Sequence, residues 1–501
     1  MLGLVYQTKS KERGAPMYNS IQHFIKEGTK DLEKIFIDYS ADLTKIAEMV
    51  YGVTDGVVSL GLSIMAEELE MYDEYLRKST DRKKNWYIVR RDETTLLTSL
   101  GSITYHKTLF KNKETGSCEY LLDRYMGLEK HARMTEDAEA KILEEAVESS
   151  YRKGGENASI GLENVSRETV MNKIHVLRFP LAKPQGEKKQ LRYLYIDCDE
   201  DHVSLQYLDK KGDIRKRRRS NTIMPKIVYV YEGITNENGR NELVNARYFG
   251  GVYEGTEGNR VLWDEVWDYI DGSYDTEYLK KIFVNGDGAV WIKSGARLLD
   301  KGKFVLDKFH MHKYIIGATS HLLECVEDTR SKIYGAIRKR RKKYAEGVFK
   351  RILNVTEGES RIRTVEAART YILENWTGIM EQQKNKDAEI ECSAEGHVSH
   401  VFADRMSSRP MGWSKTGADK MAHLRIYYYN KGNMLELVRY QSQEWKQAAG
   451  AELPALSAGD MIKMENADKK RLGSMADMPV YTIPYPQIKK IANFKNHIWG
   501  L

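Results

Sequence analysis

Residues 197–201 read Asp-Cys-Asp-Glu-Asp, four acids in five positions at the end of an apolar alternation. Tyr193, Tyr195 and Asp197 share one face of a strand at period two, with Leu194, Ile196 and Cys198 on the other. Asp199 continues the face of Asp197. Val203, Leu205 and Tyr207 resume the alternation, so 191–212 reads as a hairpin with an acidic tip. Two later acids are placed for the same chemistry. Asp287 ends the strand-like "KKIFVNGDGAVWI", and Glu395 lies in the helical "ECSAEGHVSHVFADRMSSRP". Phosphodiester cleavage with two divalent cations about 3.5–4 Å apart needs converging carboxylates on rigid elements. Mg²⁺ and Mn²⁺ are hard cations that take oxygen ligands. A first-strand acid (Asp197 or Asp199), Asp287 and Glu395 meet that requirement.

Other chemistries fit less well. Asp197, Asp199 and Asp201 imitate the start of a calcium-binding EF-hand loop. The sixth position is His202 where glycine is needed, and the twelfth is Leu208 where a bidentate glutamate is needed. A zinc hydrolase using His310, His312, His397 and His400 lacks an HExxH pair. A DNA-binding regulator without catalysis leaves the acids unexplained, because carboxylates facing DNA repel phosphate unless a cation intervenes.

The elements that must position these acids change character along the chain. Residues 1–16 read as a non-native leader, with Met17 as the natural start. Residues 17–84 are expected to be helical and 85–128 to form a small β-region. Residues 129–188 are helical again and hold a helix-turn-helix candidate. There Ser166 caps a helix that buries Val170, Ile174 and Val176 and turns Arg167, Thr169, Asn172 and Lys173 outward. From 189 to 313 the order is three antiparallel strands, a helix, a strand ending on Asp287, a helix and a fifth strand running into Asp307 and His310. This order predicts an α/β fold with a ribonuclease H-like catalytic core on a mixed five-stranded sheet. An all-helical stretch, 314–390, fills the gap before a second core part, 391–440, that carries Glu395. Residues 441–501 form a tail.

Length and composition bound these readings. The chain of 501 residues is 41% hydrophobic and 30% charged, as in a globular protein of two to four domains. No apolar run approaches the roughly 18 residues of a membrane span, so no transmembrane helix and no membrane partner are expected. The four cysteines are far apart without a CxxC pair, which points to a reducing, cytoplasmic compartment. The net charge of +7 is concentrated in two runs, Arg215, Lys216, Arg217, Arg218 and Arg219, and the expected helix carrying Arg338, Lys339, Arg340 and Arg341. Such runs attract polyphosphate backbones.

"YIDCDEDHVSLQY", "FVNGDGAVWIKSG", "FVLDKFHMHKYI" and "CSAEGHVSHVFADRMSSRPMGW" together resemble the ISLre-type bacterial insertion-sequence transposases. That family was long catalogued as an uncharacterised protein family and is distantly similar to Mutator-type DDE transposases. The likeness covers roughly 17–440. It implies a DDE triad of Asp199, Asp287 and Glu395 as catalytic and metal-binding residues, with Asp197 as the alternate first ligand. It also implies that the helices after 314 are an insertion domain. Asp307 and His310 then match a supporting D-x-x-H element. The cofactor implied is two Mg²⁺ or Mn²⁺ ions per active site. The partners implied are double-stranded DNA, as terminal inverted repeats and as target, and further copies of the chain assembled on it, in the bacterial nucleoid. The basic runs, Arg167 and Lys173 would contact that DNA, and Trp291, Trp376 or Trp413 would stack on unpaired bases or pack in the core. A ribonuclease H-like nuclease that cuts without joining is the nearest enzymatic alternative.

Overall fold

The computed structural model describes residues 18–448 except 162, 183–185, 207–221, 238, 386, 387 and 389. The expected leader, the tail beyond 448 and the run Arg215–Arg219 lie outside the described residues. The described residues divide into two compact units, 18–135 and 136–448.

In the first unit the helix Thr29–Ala41 packs on the long helix Ile46–Lys78. They approach at Gly52, where an added Cβ would lie 2.6 Å from the Ile35 side chain. Strands β1 (Trp86–Leu97), β2 (Ser102–Asn112) and β3 (Cys118–Tyr120) form an antiparallel sheet. The end of the long helix closes over it, joining Leu76 to Leu96, Ile103, Tyr105 and Phe110. Buried Asp73 locks the helix to β2 by accepting the Thr108 amide at 2.8 Å and its hydroxyl at 2.7 Å. Ile46–Lys78 is long enough and apolar enough to cross a membrane, by length and composition. Gly52, Thr54, Asp55, Gly56 and Ser59 interrupt its apolar run in the sequence, and Ile46, Val50, Tyr51 and Val57 are exposed.

The second unit is built on a five-stranded mixed sheet in the order β10-β7-β4-β11-β12. Its members are β4 (Tyr193–Glu200), β7 (Lys226–Tyr231), β10 (Arg247–Gly251), β11 (Lys281–Gly286) and β12 (Gly302–Leu306). β7 runs antiparallel to its neighbours β4 and β10, whereas β11 and β12 run parallel to β4. The hairpin expected at 191–212 does not form. β4 pairs directly with β7, while β5 (Val203–Ser204) pairs with β6 (Thr222–Ile223) in a separate ribbon. The remaining sheet member is β10, a strand that "RYFGG" conceals because two glycines mask its alternation. A further ribbon, β8 (Gly233–Glu237) with β9 (Arg240–Val244), separates β7 from β10.

Period-two alternation gives the large sheet two unlike faces. Leu194, Ile196 and Cys198 join Val228, Val230, Ile282 and Val284 against the helices Gly255–Ser273 and Val290–Leu298. On the other face the rings of Tyr231 and Phe283 stack on Tyr195, 5.5 and 5.8 Å away. That face also presents Asp197, Tyr229 and Asn285, all buried. After β12 the chain enters five helices, Lys308–Thr319, Val326–Arg338, Lys342–Val355, Glu359–Glu374 and Trp376–Lys384. They share an apolar core that includes Ile315, Ile333, Phe349, Ile372 and Trp376.

Helices Glu136–Glu148, Tyr151–Glu156 and Arg167–Val176 hold the helix-turn-helix candidate. The Ser166 hydroxyl accepts the Thr169 amide, and Val170 and Ile174 are buried, whereas Val176 is 72% exposed. Val176 is the last helical residue, where the chain leaves the packed face. Lys173 is half-buried and paired with Glu139, so its charge does not face outward freely. Buried Arg405 and Arg425 donate to the carbonyls of Ala146 and Val147 at 3.1 and 2.6 Å, placing cations at the negative end of Glu136–Glu148.

Candidate functional site

Asp197 is paired across the ladder with Asn285, so Asp199 and Asp287 each follow two residues later, at the C-terminal ends of adjacent parallel strands. Ligand sites in open α/β sheets gather at such ends. Asp199 is partly buried, and its side chain accepts the Glu200 amide at 2.9 Å. Burial pushes its pKa up to about 6; the Asp287 charge adds to the rise, and His310 opposes it. Asp287 Oδ1 accepts the Ala289 amide at 2.8 Å, while its carbonyl accepts the Tyr371 hydroxyl at 2.5 Å. The glycines of "NGDG" are needed on both sides. A Cβ on Gly286 would meet Ile292 at 2.7 Å, and Gly288 has φ +92° with Asn375 against it.

Asp307 caps the helix Lys308–Thr319 by accepting the Phe309 and His310 amides at 3.1 and 3.4 Å. β12 ends at Leu306, so the fifth strand stops short of Asp307 and His310. The His310 ring nitrogen lies 2.8 Å from the Asp307 carboxylate. That hydrogen bond raises the histidine pKa against burial, and the charges of Asp307, Asp199 and Asp287 act in the same direction. Burial pushes Asp307 up, but the bonds from His310 and the Phe309 amide outweigh it and leave the pKa lowered. His310 thus lies within electrostatic reach of Asp199 and Asp287, and their charges favour its protonated form.

Glu395 stands in the first turn of the short helix Ala394–Val398 and is exposed. This helix continues through a π turn, Ser399–Ala403, into Asp404–Met406. The carboxylates offer the hard oxygen donors that Mg²⁺ or Mn²⁺ takes, and such ions are commonly held by one or two carboxylates plus substrate phosphate. Among the described residues, however, no three His, Cys, Asp or Glu side chains are grouped to hold a metal ion. The carboxylate donors therefore fit the cation in chemical kind.

Asp197 differs sharply from Asp199. It is wholly buried, and both oxygens are occupied. Oδ1 accepts Asn285 Nδ2 at 2.7 Å and the Tyr231 hydroxyl at 3.2 Å, while Oδ2 accepts the Tyr229 hydroxyl and the Ser393 amide at 2.8 Å each. Its burial and these bonds set it apart from Asp199, the partly buried acid two residues on. Asn285, Tyr229, Tyr231 and Ser393 escaped the sequence reading, although Asn285 precedes Asp287 by two and so shares its strand face. Glu200 was also missed; it accepts the indole N–H of Trp291 at 2.9 Å.

Trp291, Trp376 and Trp413 are all buried core residues, unable to stack on a base without leaving the core. Arg338, Lys339, Arg340 and Arg341 are exposed, but on the turn between two helices, with φ +54° at Arg340, rather than along one helix. Arg167 is exposed and paired with Glu168. His310, His312, His397 and His400 make separate contacts with Asp307, Tyr334, Tyr248 and Asp404, not a zinc site.

Comparison with known sequences places the chain. Residues 40–444 match the uncharacterised protein family UPF0236. The chain belongs to this family. A UPF0236 protein of Caldanaerobacter subterraneus subsp. tengcongensis is 35% identical over 410 residues, covering 82% of this chain and 83% of the relative. The UPF0236 protein in vanSb 3′region of Streptococcus gallolyticus is 23% identical over 420 residues, 78% of this chain and 86% of the relative. Among solved structures, the Drosophila P element transposase strand transfer complex aligns at 10% identity over 70% of this chain and 90% of that chain, with a TM-score of 0.21, too low to establish a shared fold.

Proposed function

We propose that this UPF0236 protein is a DDE-type transposase that cleaves DNA at the ends of an insertion sequence and joins those ends to target DNA. The observation that carries the reading is the Asp199–Asp287 pair. These residues are 88 positions apart in sequence and meet at the ends of neighbouring parallel strands. Three antiparallel strands followed by two parallel ones, in this spatial order, fit a ribonuclease H-like core, and the helices from Lys308 to Lys384 fit an insertion before the third acid.

In this reading Asp199, Asp287 and, once DNA is seated, Glu395 would hold Mg²⁺ or Mn²⁺, which would supply Lewis acidity to the phosphodiester. Water would attack the phosphodiester at the element's end and release a 3′-hydroxyl. That hydroxyl would then attack a target phosphodiester in line and displace a target 3′-hydroxyl as the leaving group. His310, held by Asp307, balances charge beside the two acids. A cleft of about 680 Å³ next to it, lined by Lys313, Tyr314 and Arg363 among others, offers cations to the phosphate backbone. The exposed turn Arg338–Arg341 extends the basic surface, and two copies are expected on paired element ends.

The test uses purified protein, Mg²⁺ and a labelled fragment bearing the element's terminal repeats. Asp199→Asn, Asp287→Asn and Glu395→Gln are each expected to lower cleavage by at least about a thousandfold, as loss of a metal-held charge at the transition state does, with repeat binding retained. Unchanged cleavage in any one removes that residue from the triad. Cleavage without joined products would reduce the activity to that of a nuclease.

A further inference from the structure

Glu395 reaches the site by an unusual route. It follows the five helices that start at Lys308, and residues 391–393 leading to it belong to no strand. No β-ladder therefore sets its position, and the contacts that do are side-chain bonds. The Tyr231 hydroxyl shares its one proton between the Glu391 carbonyl at 2.9 Å and Asp197 Oδ1 at 3.2 Å. The Ser393 hydroxyl lies 2.8 Å from that of Tyr229 and 3.3 Å from Asp197 Oδ2. Further along, His397 Nδ1 is 2.8 Å from the Tyr248 hydroxyl, and its ring lies 4.5 Å from that of Tyr229.

All the groups nearest the start of the helix converge on one carboxylate. Asp197 takes bonds from β7 through Tyr229 and Tyr231, from β11 through Asn285, and from the incoming segment through the Ser393 amide. A carboxylate without water contact needs such donors to offset its desolvation. The same bonds tie the segment two residues ahead of Glu395 to the strand that carries Asp199 two residues on.

We infer that Asp197 is a positioning residue, a buried clamp that docks the Glu395 segment on the sheet and so fixes the third acid relative to Asp199 and Asp287. The catalytic part of this inference rests on the transposase reading; the docking part does not. Hydrogen exchange on the full chain separates them. In Asp197→Asn, amides of 391–398 should exchange on the order of tenfold faster, as loss of a buried charged hydrogen bond would give, while the helix Gly255–Ser273 keeps its protection. Cleavage should lose kcat with KM for repeat-end DNA unchanged. Tyr229→Phe, which keeps the ring against His397, should move both readouts the same way by less.

Unchanged exchange at 391–398 overturns the clamp, and lost cleavage with unchanged exchange would return Asp197 to the ligand set. Failure of the wild type to cleave any DNA would remove the transposase reading, yet the exchange result would still decide the docking. If Asp197→Asn does not fold, Tyr229→Phe and Ser393→Ala decide in its place, and unaltered exchange in both refutes the proposal.

Discussion

His423 and Asp419 stand one turn apart on the helix Lys415–Tyr429, with ring nitrogen and carboxylate 3.3 Å apart and Phe179 stacked on the ring at 5.6 Å. Burial pushes His423 down, but the Asp419 bond and charge, helped by Glu265, leave its pKa raised. Burial pushes Asp419 up, and His423 and the Val252 amide bring it below the usual value. A histidine with a raised folded pKa stabilises fully below its unfolded value of about 6.5 and loses that contribution as pH rises through the folded one. The aspartate contributes above the usual carboxylate pKa and loses stability only as pH falls through its depressed value. The pair should therefore stabilise most in mildly acidic solution. Denaturant unfolding of wild type and His423→Gln is expected to differ by about 1–2 kcal/mol at pH 6 and by progressively less up to pH 9. A difference that grows with pH would exclude this account. The contrast between Asp197 and Asp199 was invisible to sequence reasoning at this same scale. Period two puts both on one face, and partners distant in sequence, Tyr229, Asn285 and Ser393 (196 residues away), distinguish the buried, bonded carboxylate from its neighbour.

Elements were readable where their own residues carried the signal. The alternation of 193–198 and the unbroken apolar run in Lys226–Tyr231 announced strands, and "FVNGDG" announced a strand end. What sequence could not provide was which strands pair. An acidic cluster between two alternating stretches looks like a hairpin tip, yet β4 finds its partner beyond 225, and β10 hides behind Gly250 and Gly251. Helix Val290–Leu298 was legible, but the reason for its glycine was not. A Cβ on Gly295 would lie 1.7 Å from Trp263, itself buried beneath the sheet. Gly295→Ala is accordingly expected to destabilise the second unit by about 1–3 kcal/mol through overpacking, read as a lower denaturation midpoint. A neutral or stabilising result would mean that Trp263 moves aside freely, contrary to the packing described.

At the scale of the whole molecule, each unit encloses an apolar core of its own. In the first, Leu76, Leu96, Ile103 and Phe110 close around the Asp73 staple. In the second, the sheet core around Trp263 and the helical core around Phe349 are both made from residues within 136–449. Asp199, Asp287, His310, Asp197 and Glu395 all belong to this second unit, as do the partners that hold Asp197. A domain with its own core should fold by itself. Residues 136–449 expressed alone are expected to melt cooperatively and to keep the slow exchange of 391–398, and calorimetry of the full chain should resolve more than one transition. The first unit, with Ile46, Val50, Tyr51 and Val57 exposed along its long helix, should govern any association with detergent or lipid, which the fragment would then lack. One transition for the full chain together with an unfolded fragment would show instead that the catalytic framework depends on the first 135 residues, and the triad variants would have to be judged only in the intact protein.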